Sequence, residues 1–526
     1  METVNSNDKL IKLYDELTQE RGKPLDVWEM TALLEIYGIR DIDAEKDYGF
    51  PTVFEMGEHM LSFISTKTYP QRALVDWEDI PPLAKRVVIN YIRGLAFALP
   101  MFVQIFFTLS IGYALWSSIG MDTMQATVIA LGTFLALIVT GASSQAIGRK
   151  GLFYLKQDEF ILAANVTEAL IKVGLTIVLV VGLVVFLFQL FFHFLPFYYF
   201  YVLITFYFLL SFLFLNISVY YMFEEYTKIL GFFLFAIIIA YIAHTIMGIK
   251  LPEAQFISIF TVDVVLFILI YRKIKKLKNR SSVSEGEEIP RASMLFASLI
   301  IFYIYGLLYF IFLVSDRIVA WSTYIEAKPY FIWFNVPYEL GLDWALIVLI
   351  LLMGFTEIGI HEFMYRIIDA VVKYKYKEYE KFNTEIKSFF IKSNIIYTIF
   401  AFVVILLTFF ITYWLYIYGH YKYLHVFFHS FTPYVYWIAA VSYALVVNGL
   451  MNVLFIFSFS RQNFSVNSIL VAVAINIIGG LILSRMFGLQ YAVLGLFFGS
   501  VIFWLISFRY AAKMVRKMEY YYYSAF

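Results

Sequence analysis

From about Leu95 to Phe508, apolar stretches of roughly 18 to 27 residues alternate with short polar breaks, close to the 20 or so apolar residues a helix needs to cross a bilayer core. The pattern predicts twelve spans, at residues 94–116, 123–143, 167–192, 197–218, 229–247, 254–271, 292–314, 339–360, 389–418, 432–457, 466–485 and 490–508. The fold class expected is an all-α integral membrane protein, and its function lies in a path through or along the membrane. Ahead of the spans the period changes. Leu10, Leu13, Tyr14 and Leu17, then Val27, Met30, Leu33, Leu34 and Ile36, recur at helical spacing, with breaks at Gly38 and Gly49-Phe50-Pro51. Residues 1–80 are therefore read as a small helical segment that docks against a partner or the cytoplasmic loops. After Pro81-Pro82, residues 81–93 mix Lys85, Arg86 and Arg93 with apolar side chains, the pattern of an interfacial amphipathic helix. No basic-then-apolar signal-peptide pattern precedes span one, so insertion is expected to be internal.

Composition sharpens this picture. The chain is 61% hydrophobic and 15% charged, with mean hydropathy +0.76, which excludes a water-solvated fold. Aromatic residues make up 20%, enough to line both interfacial belts and to furnish interior surfaces. Cysteine is absent, removing thiol chemistry and Cys-ligated metal sites. The net charge of +1 conceals an acidic head: residues 1–93 hold 17 Asp or Glu against 11 Lys or Arg, and the remainder 22 against 29. Beyond residue 93, alternate loops and the tail collect 23 of those Lys and Arg, whereas the intervening loops hold only Lys250, Arg317, Lys328, Lys422 and Arg485. The positive-inside rule then places both termini in the cytoplasm of a plasma-membrane protein.

The most polar internal stretch, residues 272–291, falls after six spans, so two six-helix lobes, 94–271 and 292–508, joined by a charged cytoplasmic linker and followed by a tail at 509–526, are expected. No phosphate-binding Gly-x-x-x-x-Gly-Lys-Ser/Thr loop is present, and the outer loops are too short for a membrane glycosyltransferase or polymerase site. A non-enzymatic role without cofactor follows. His420, His425 and His429 cluster, but Val426 stands where a His-Glu-x-x-His site needs glutamate, so they are read as interfacial histidines rather than a metal site. No nucleic-acid partner is implied.

A charge inside a bilayer is costly and marks function by default. Asp263, in mid-span six, is either a pathway group or an acid paired to Arg or Asn of a neighbouring helix. Asp343 and Glu357 lie near the two ends of span eight with no base between them. Glu168 and Lys172 are spaced for a local i,i+4 pair. His244, Asn448 and Asn476 are secondary candidates, read foremost as helix–helix glue. Pro100 is expected to kink span one.

Ser315-Asp316-Arg317-Ile318-Val319-Ala320-Trp321, at the outer end of span seven, resembles the PelG-type exopolysaccharide exporters. Val336-Pro337-Tyr338-Glu339-Leu340-Gly341 and the closing Arg516-Lys517-Met518-Glu519-Tyr520 are similar to the same family. The resemblance covers the spans in order and topology. It implies a multidrug/oligosaccharidyl-lipid/polysaccharide flippase, MATE-like fold, and export of a partly cationic polysaccharide through a cavity between lobes. It also implies work beside a cytoplasmic glycosyltransferase and other membrane subunits. Asp263, Asp316, Arg317, Trp321, Asp343 and Glu357 are the expected pathway residues. The alternatives are a lipid-linked oligosaccharide flippase, an ion-coupled small-molecule exporter, or a non-transporting assembly subunit.

Overall fold

The computed structural model describes residues 9–14, 17, 24, 26–64, 81–118, 121–157, 159–279, 292–323, 332–374, 376–418, 428 and 430–524. The histidine cluster at 420, 425 and 429 and most of the 272–291 linker lie outside them. Every regular element among the described residues is helical. The head contributes α1 (Val27–Ile36) and α2 (Val53–Ile64). The first lobe holds α3 (Leu83–Ile111), α4 (Thr123–Ala146), α5 (Phe160–Phe192), α6 (Phe197–Met222), α7 (Tyr226–Tyr241) and α8 (Leu251–Lys278). The second holds α9 (Ala292–Trp321), α10 (Val336–Lys373), α11 (Tyr379–Tyr418), α12 (Thr432–Ser458), α13 (Gln462–Phe487) and α14 (Val493–Val515), and α15 (Met518–Tyr523) lies in the tail. Among the described residues eleven helices are long and apolar enough to cross a membrane, and twelve when α3, bent by 63° at Pro100, is taken as one span.

Chain chemistry explains where several helices begin. Asp122 accepts from Gln125 N at 2.8 Å to cap α4, and Pro252 and Pro433 occupy the first turns of α8 and α12, where a missing N–H costs nothing. Hydropathy, however, reads only the apolar part of a helix. α9 runs on to Trp321, α10 to Lys373, and α11 begins at Tyr379, so these three outrun the predicted spans 292–314, 339–360 and 389–418. Outside lipid, Lys373 to Glu385 at 2.9 Å ties the extension of α10 to that of α11, and Lys381 pairs with Glu378 one turn back at 2.6 Å.

By packing, the chain divides into two units. One contains residues 1–89, 358–396 and 510–526, and the other residues 90–357 and 397–509. In the first, Leu10, Leu13, Tyr14, Leu17, Met30, Leu34, Val53, Met56 and Met60 form a core. Gly38 and Gly49, with φ of 94° and 77°, make the turns the sequence marks. Tyr523 of the tail donates to Asp26 and packs against Trp28, with ring centroids 6.4 Å apart. Asn383 Oδ1 accepts from Met518 N and Glu519 N at 2.9 and 3.3 Å, and Arg86 forms a two-pronged pair with Glu362 at 2.9 and 2.7 Å.

The second unit is the helical bundle. In its first lobe α4 packs on α6 and α6 on α8; in its second α9 packs on α13, and α4 against α9 joins the lobes. Water cannot drive helix association inside lipid, so small residues and polar atoms carry it. Gly94 and Gly354 let α3 and α10 touch: a Cβ on Gly94 would stand 2.6 Å from Met353 O, and one on Gly354 would stand 2.5 Å from the Tyr91 ring. Buried tyrosines spend their hydroxyls on carbonyls of other helices. Tyr207 donates to Val178 O at 2.8 Å, Tyr397 to Ala444 O at 2.7 Å and Tyr91 to Leu351 O at 3.1 Å. Other rings face outward as the belt reading expects, among them Phe191, Phe197, Trp414 and Tyr418.

Candidate functional site

The site is built where α9 ends and α10 begins. Arg485 closes the C-terminus of α9, donating to Val319 O and Ser322 O at 3.2 Å each and to the hydroxyls of Ser322 and Thr323 at 2.8 Å. A guanidinium there satisfies carbonyls the helix leaves open and suits its negative end. Asn335 caps α10, accepting from Tyr338 N at 3.1 Å, and Pro337 follows in the first turn. The two ends run antiparallel, so residues one turn apart on each face one another: Arg317 and Trp321 on α9 meet Glu339 and Asp343 on α10.

Their contacts form one network. The Arg317 guanidinium donates to Glu339, which also accepts from Trp321 Nε1 at 2.8 Å, and both terminal nitrogens of Arg317 reach Asp343 Oδ1 at 3.4 Å. On the adjoining face Tyr338 OH donates to Asp316 Oδ2 at 3.1 Å, leaving Asp316 Oδ1 without a hydrogen-bond partner among the described residues. Asp316, Arg317, Trp321, Tyr338 and Glu339 are all buried. Phe134 of α4 stacks on Trp321 at 5.5 Å and lies under the Arg317 guanidinium at 5.9 Å, so the first lobe covers the cluster. A further link runs from Phe334 N to Thr127 Oγ1 at 3.0 Å.

Asp343 differs from the rest. Its side chain is 50% exposed, whereas its partners Arg317 and Glu339 are almost wholly enclosed. The cluster therefore presents a carboxylate to open space with an arginine, two more acids and a tryptophan behind it. Three carboxylates share one guanidinium, and the excess of acid in an apolar setting favours any cation, proton or hydrogen-bond donor that reaches Asp343.

The structure thus brings together four of the expected pathway residues, Asp316, Arg317, Trp321 and Asp343. Asp316, Arg317 and Trp321 lie inside α9 rather than past the end of span seven, and Asp343 lies in α10 as span eight has it. Asp343, with no base between it and Glu357 along span eight, meets one from the facing helix, Arg317. Glu339, Tyr338 and Asn335 do not stand out as site residues in the sequence. Their signal was the i,i+4 spacing of Glu339 and Asp343, which gains meaning only once α9 is known to lie opposite.

The remaining candidates sit apart. Asp263 is buried in α8, in the first lobe, and neither carboxylate oxygen has a hydrogen-bond partner among the described residues, so of the two alternatives the pairing to Arg or Asn is not seen there. Glu357 lies near the middle of α10, which runs on past the predicted span, and its side chain is within reach of a Cβ placed on Gly94. Glu168 pairs with Lys172 at 2.8 Å, as the spacing predicts, and also with Lys278 at 2.7 Å. Asn476 Nδ2 donates to Phe312 O at 2.9 Å and ties α13 to α9, while Asn448 Oδ1 is buried without a partner among the described residues. His244 Nδ1 lies 2.9 Å from Ile249 O, with the Tyr113 ring edge-on at 5.2 Å. Among the described residues no group of His, Asp or Glu is arranged to hold a metal ion.

No protein-family model matches the chain, and no curated protein sequence matches it. Solved structures do. The chain is similar to a mutant of the Vibrio cholerae MATE transporter VcmN, with TM-score 0.57 and 11% identity over 84% of this chain and 98% of that one. It is also similar to a second mutant MATE protein, with TM-score 0.55 and 13% identity over 84% and 98%. An outward-facing multidrug resistance MATE family transporter of the MOP superfamily gives TM-score 0.53 and 14% identity over 84% and 97%. At such identity the likeness establishes the fold, which is MATE-like and all-helical.

Proposed function

We propose that this protein is a transporter, not an enzyme, that exports a hydrophilic carbohydrate polymer across the plasma membrane through the hollow onto which Asp343 opens. Both termini lie in the cytoplasm, where a glycosyltransferase and other membrane subunits of a synthesis and export complex deliver the cargo. The observation that carries this reading is the Asp343 carboxylate of a MATE-like bundle, half-exposed and backed by Arg317 and Glu339. Acid facing a hollow suits a polymer bearing amines and hydroxyls, which can donate to it. Sugar rings also offer C–H faces to aromatic side chains. Phe97, Tyr221 and Tyr226 supply such a surface, with Phe97 and Tyr221 stacked at 5.2 Å and 8°. The PelG-type resemblance, on the Ser315 to Trp321 and Val336 to Gly341 motifs, supports the same cargo.

The test is Asp343→Asn in cells that secrete the polymer, with cell-free hexosamine and immunoblotted membrane level measured together. Secretion falls to about a tenth or less, corresponding to loss of one charge-assisted contact of ~1.4 kcal/mol, at unchanged protein level. Full secretion from that variant overturns the reading. One observation favours a second reading, an ion-coupled small-molecule exporter: Asp263, a buried carboxylate without a hydrogen-bond partner among the described residues, is a group that can take up a cation or proton. Asp263→Asn then abolishes export while Asp343→Asn leaves it intact.

A further inference from the structure

The polar continuations of α10 and α11 form an open groove of about 620 Å³, lined among others by Arg366, Tyr374, Glu385, Ser388, Phe389 and Lys392. Thr384, Ser388 and Lys392 follow one another at helical spacing on one face of α11. The same face continues with Ile391, Ile395 and Ile396, which are 42%, 54% and 57% exposed. Exposed isoleucines on a membrane helix face acyl chains, so the groove stands at the level of the headgroups.

Its chemistry fits a phosphate there. Glu385 is already satisfied by Lys373 at 2.9 Å, Tyr374 OH at 2.7 Å and Arg366 at 3.5 Å, and so offers little free negative charge. Among the described residues Arg366 makes only the long contacts to Glu385 and to Asp369 at 3.8 Å, which leave most of its donors unused there. Its guanidinium lies 5.7 Å over the Phe389 ring. Lys392 and Ser388 have no side-chain partner among the described residues. Glu380, the other acid of the groove, is twelve residues from Lys392, about 18 Å along the helix, so the end nearest the isoleucines belongs to the cations.

We propose that this groove binds the headgroup of an anionic phospholipid, with Arg366, Lys392 and the Ser388 hydroxyl on the phosphate and the acyl chains along Ile391, Ile395 and Ile396. The site is independent of the cargo pathway. It anchors the α10–α11 hairpin to one leaflet and makes the protein's behaviour depend on that leaflet's charge.

The full chain, purified in mild detergent, is titrated with phosphatidylglycerol, with phosphatidylcholine and with inorganic phosphate, while thermal stability and lipid retention in native mass spectrometry are followed. Phosphatidylglycerol is retained and raises the midpoint, whereas phosphatidylcholine and inorganic phosphate do not. Lys392→Gln and Arg366→Gln each weaken retention by about fivefold, the effect of one cation near a charged surface. Ser388→Ala is the gentler control, because its exposed hydroxyl holds no other group in place. Equal retention of both lipids by the parent chain, or unchanged phosphatidylglycerol retention in Lys392→Gln, overturns the proposal. Protection by inorganic phosphate alone reassigns the groove to a soluble anion and equally overturns the lipid source.

Discussion

Arg317 is the residue on which the candidate site turns. It is buried between Glu339 and Asp343, so removing it leaves two acids facing one another in an apolar surround, a far larger penalty than the loss of one surface pair. Arg317→Met is expected to destabilise the protein by ~3–5 kcal/mol, read as a lower thermal midpoint in detergent. Pairing it with Glu339→Leu removes the more deeply buried of the two orphaned acids, and the double variant regains part of that loss. Additive destabilisation of the two single variants would show that the pair is not coupled. Asp343 was legible in the sequence as a charge in an apolar span, and Asp316, Arg317 and Trp321 only through the family resemblance of their motif. Glu339 was hidden. It sits beside Pro337 at a helix entrance, where an acid has an ordinary explanation in the helix dipole, and only the facing helix reveals a second one.

The helices were legible to the extent that they are apolar. All twelve predicted spans correspond to helices, and Pro100 bends α3 as the missing N–H requires. The polar continuations of α10 and α11 were not legible, because a hydropathy window ends where the oil ends while hydrogen bonding and ion pairs carry the helix on. Nor was the close crossing of α3 and α10, since a glycine in a membrane helix has many uses. The structure assigns one: Gly94 and Gly354 each leave no room for a Cβ. Gly354→Val therefore forces the helices apart or displaces Tyr91, whose hydroxyl bonds Leu351 O. The expected cost is about 1–3 kcal/mol, the usual penalty for overpacking, and a cysteine pair placed across the crossing should lose its disulfide yield. Undiminished cross-linking with an unchanged midpoint would mean that the contact is looser than the geometry shows.

At the scale of the whole molecule, three distant stretches of chain, residues 1–89, 358–396 and 510–526, make one packed unit. The acidity of the head and its helical period were readable, and a docking surface on a partner or the cytoplasmic loops was expected. The identity of that surface was not, because the tail's run of tyrosines carries no period of its own. Tyr523 supplies the answer within that unit: it donates to Asp26 and packs against Trp28, which in turn meets Phe54 edge-on at 5.0 Å. Burial, and then the bond to Asp26, raise the Tyr523 phenol well above its ordinary value, and burial lifts its neighbour Tyr522 to about 12, so both remain protonated donors throughout the physiological range. A hydrogen bond to a charged group contributes about 1.5–3 kcal/mol, so losing it increases opening of the head roughly tenfold or more. Tyr523→Phe keeps the ring and removes only that bond, whereas deleting residues 518–526 removes the whole clasp. Limited trypsin digestion at Arg40 and Lys46 is expected to quicken in that order, Tyr523→Phe by about tenfold and the deletion further still, with the bundle left intact. If the head of the truncated protein resists trypsin as well as that of the full chain, its own core holds it closed and the tail merely rests on it.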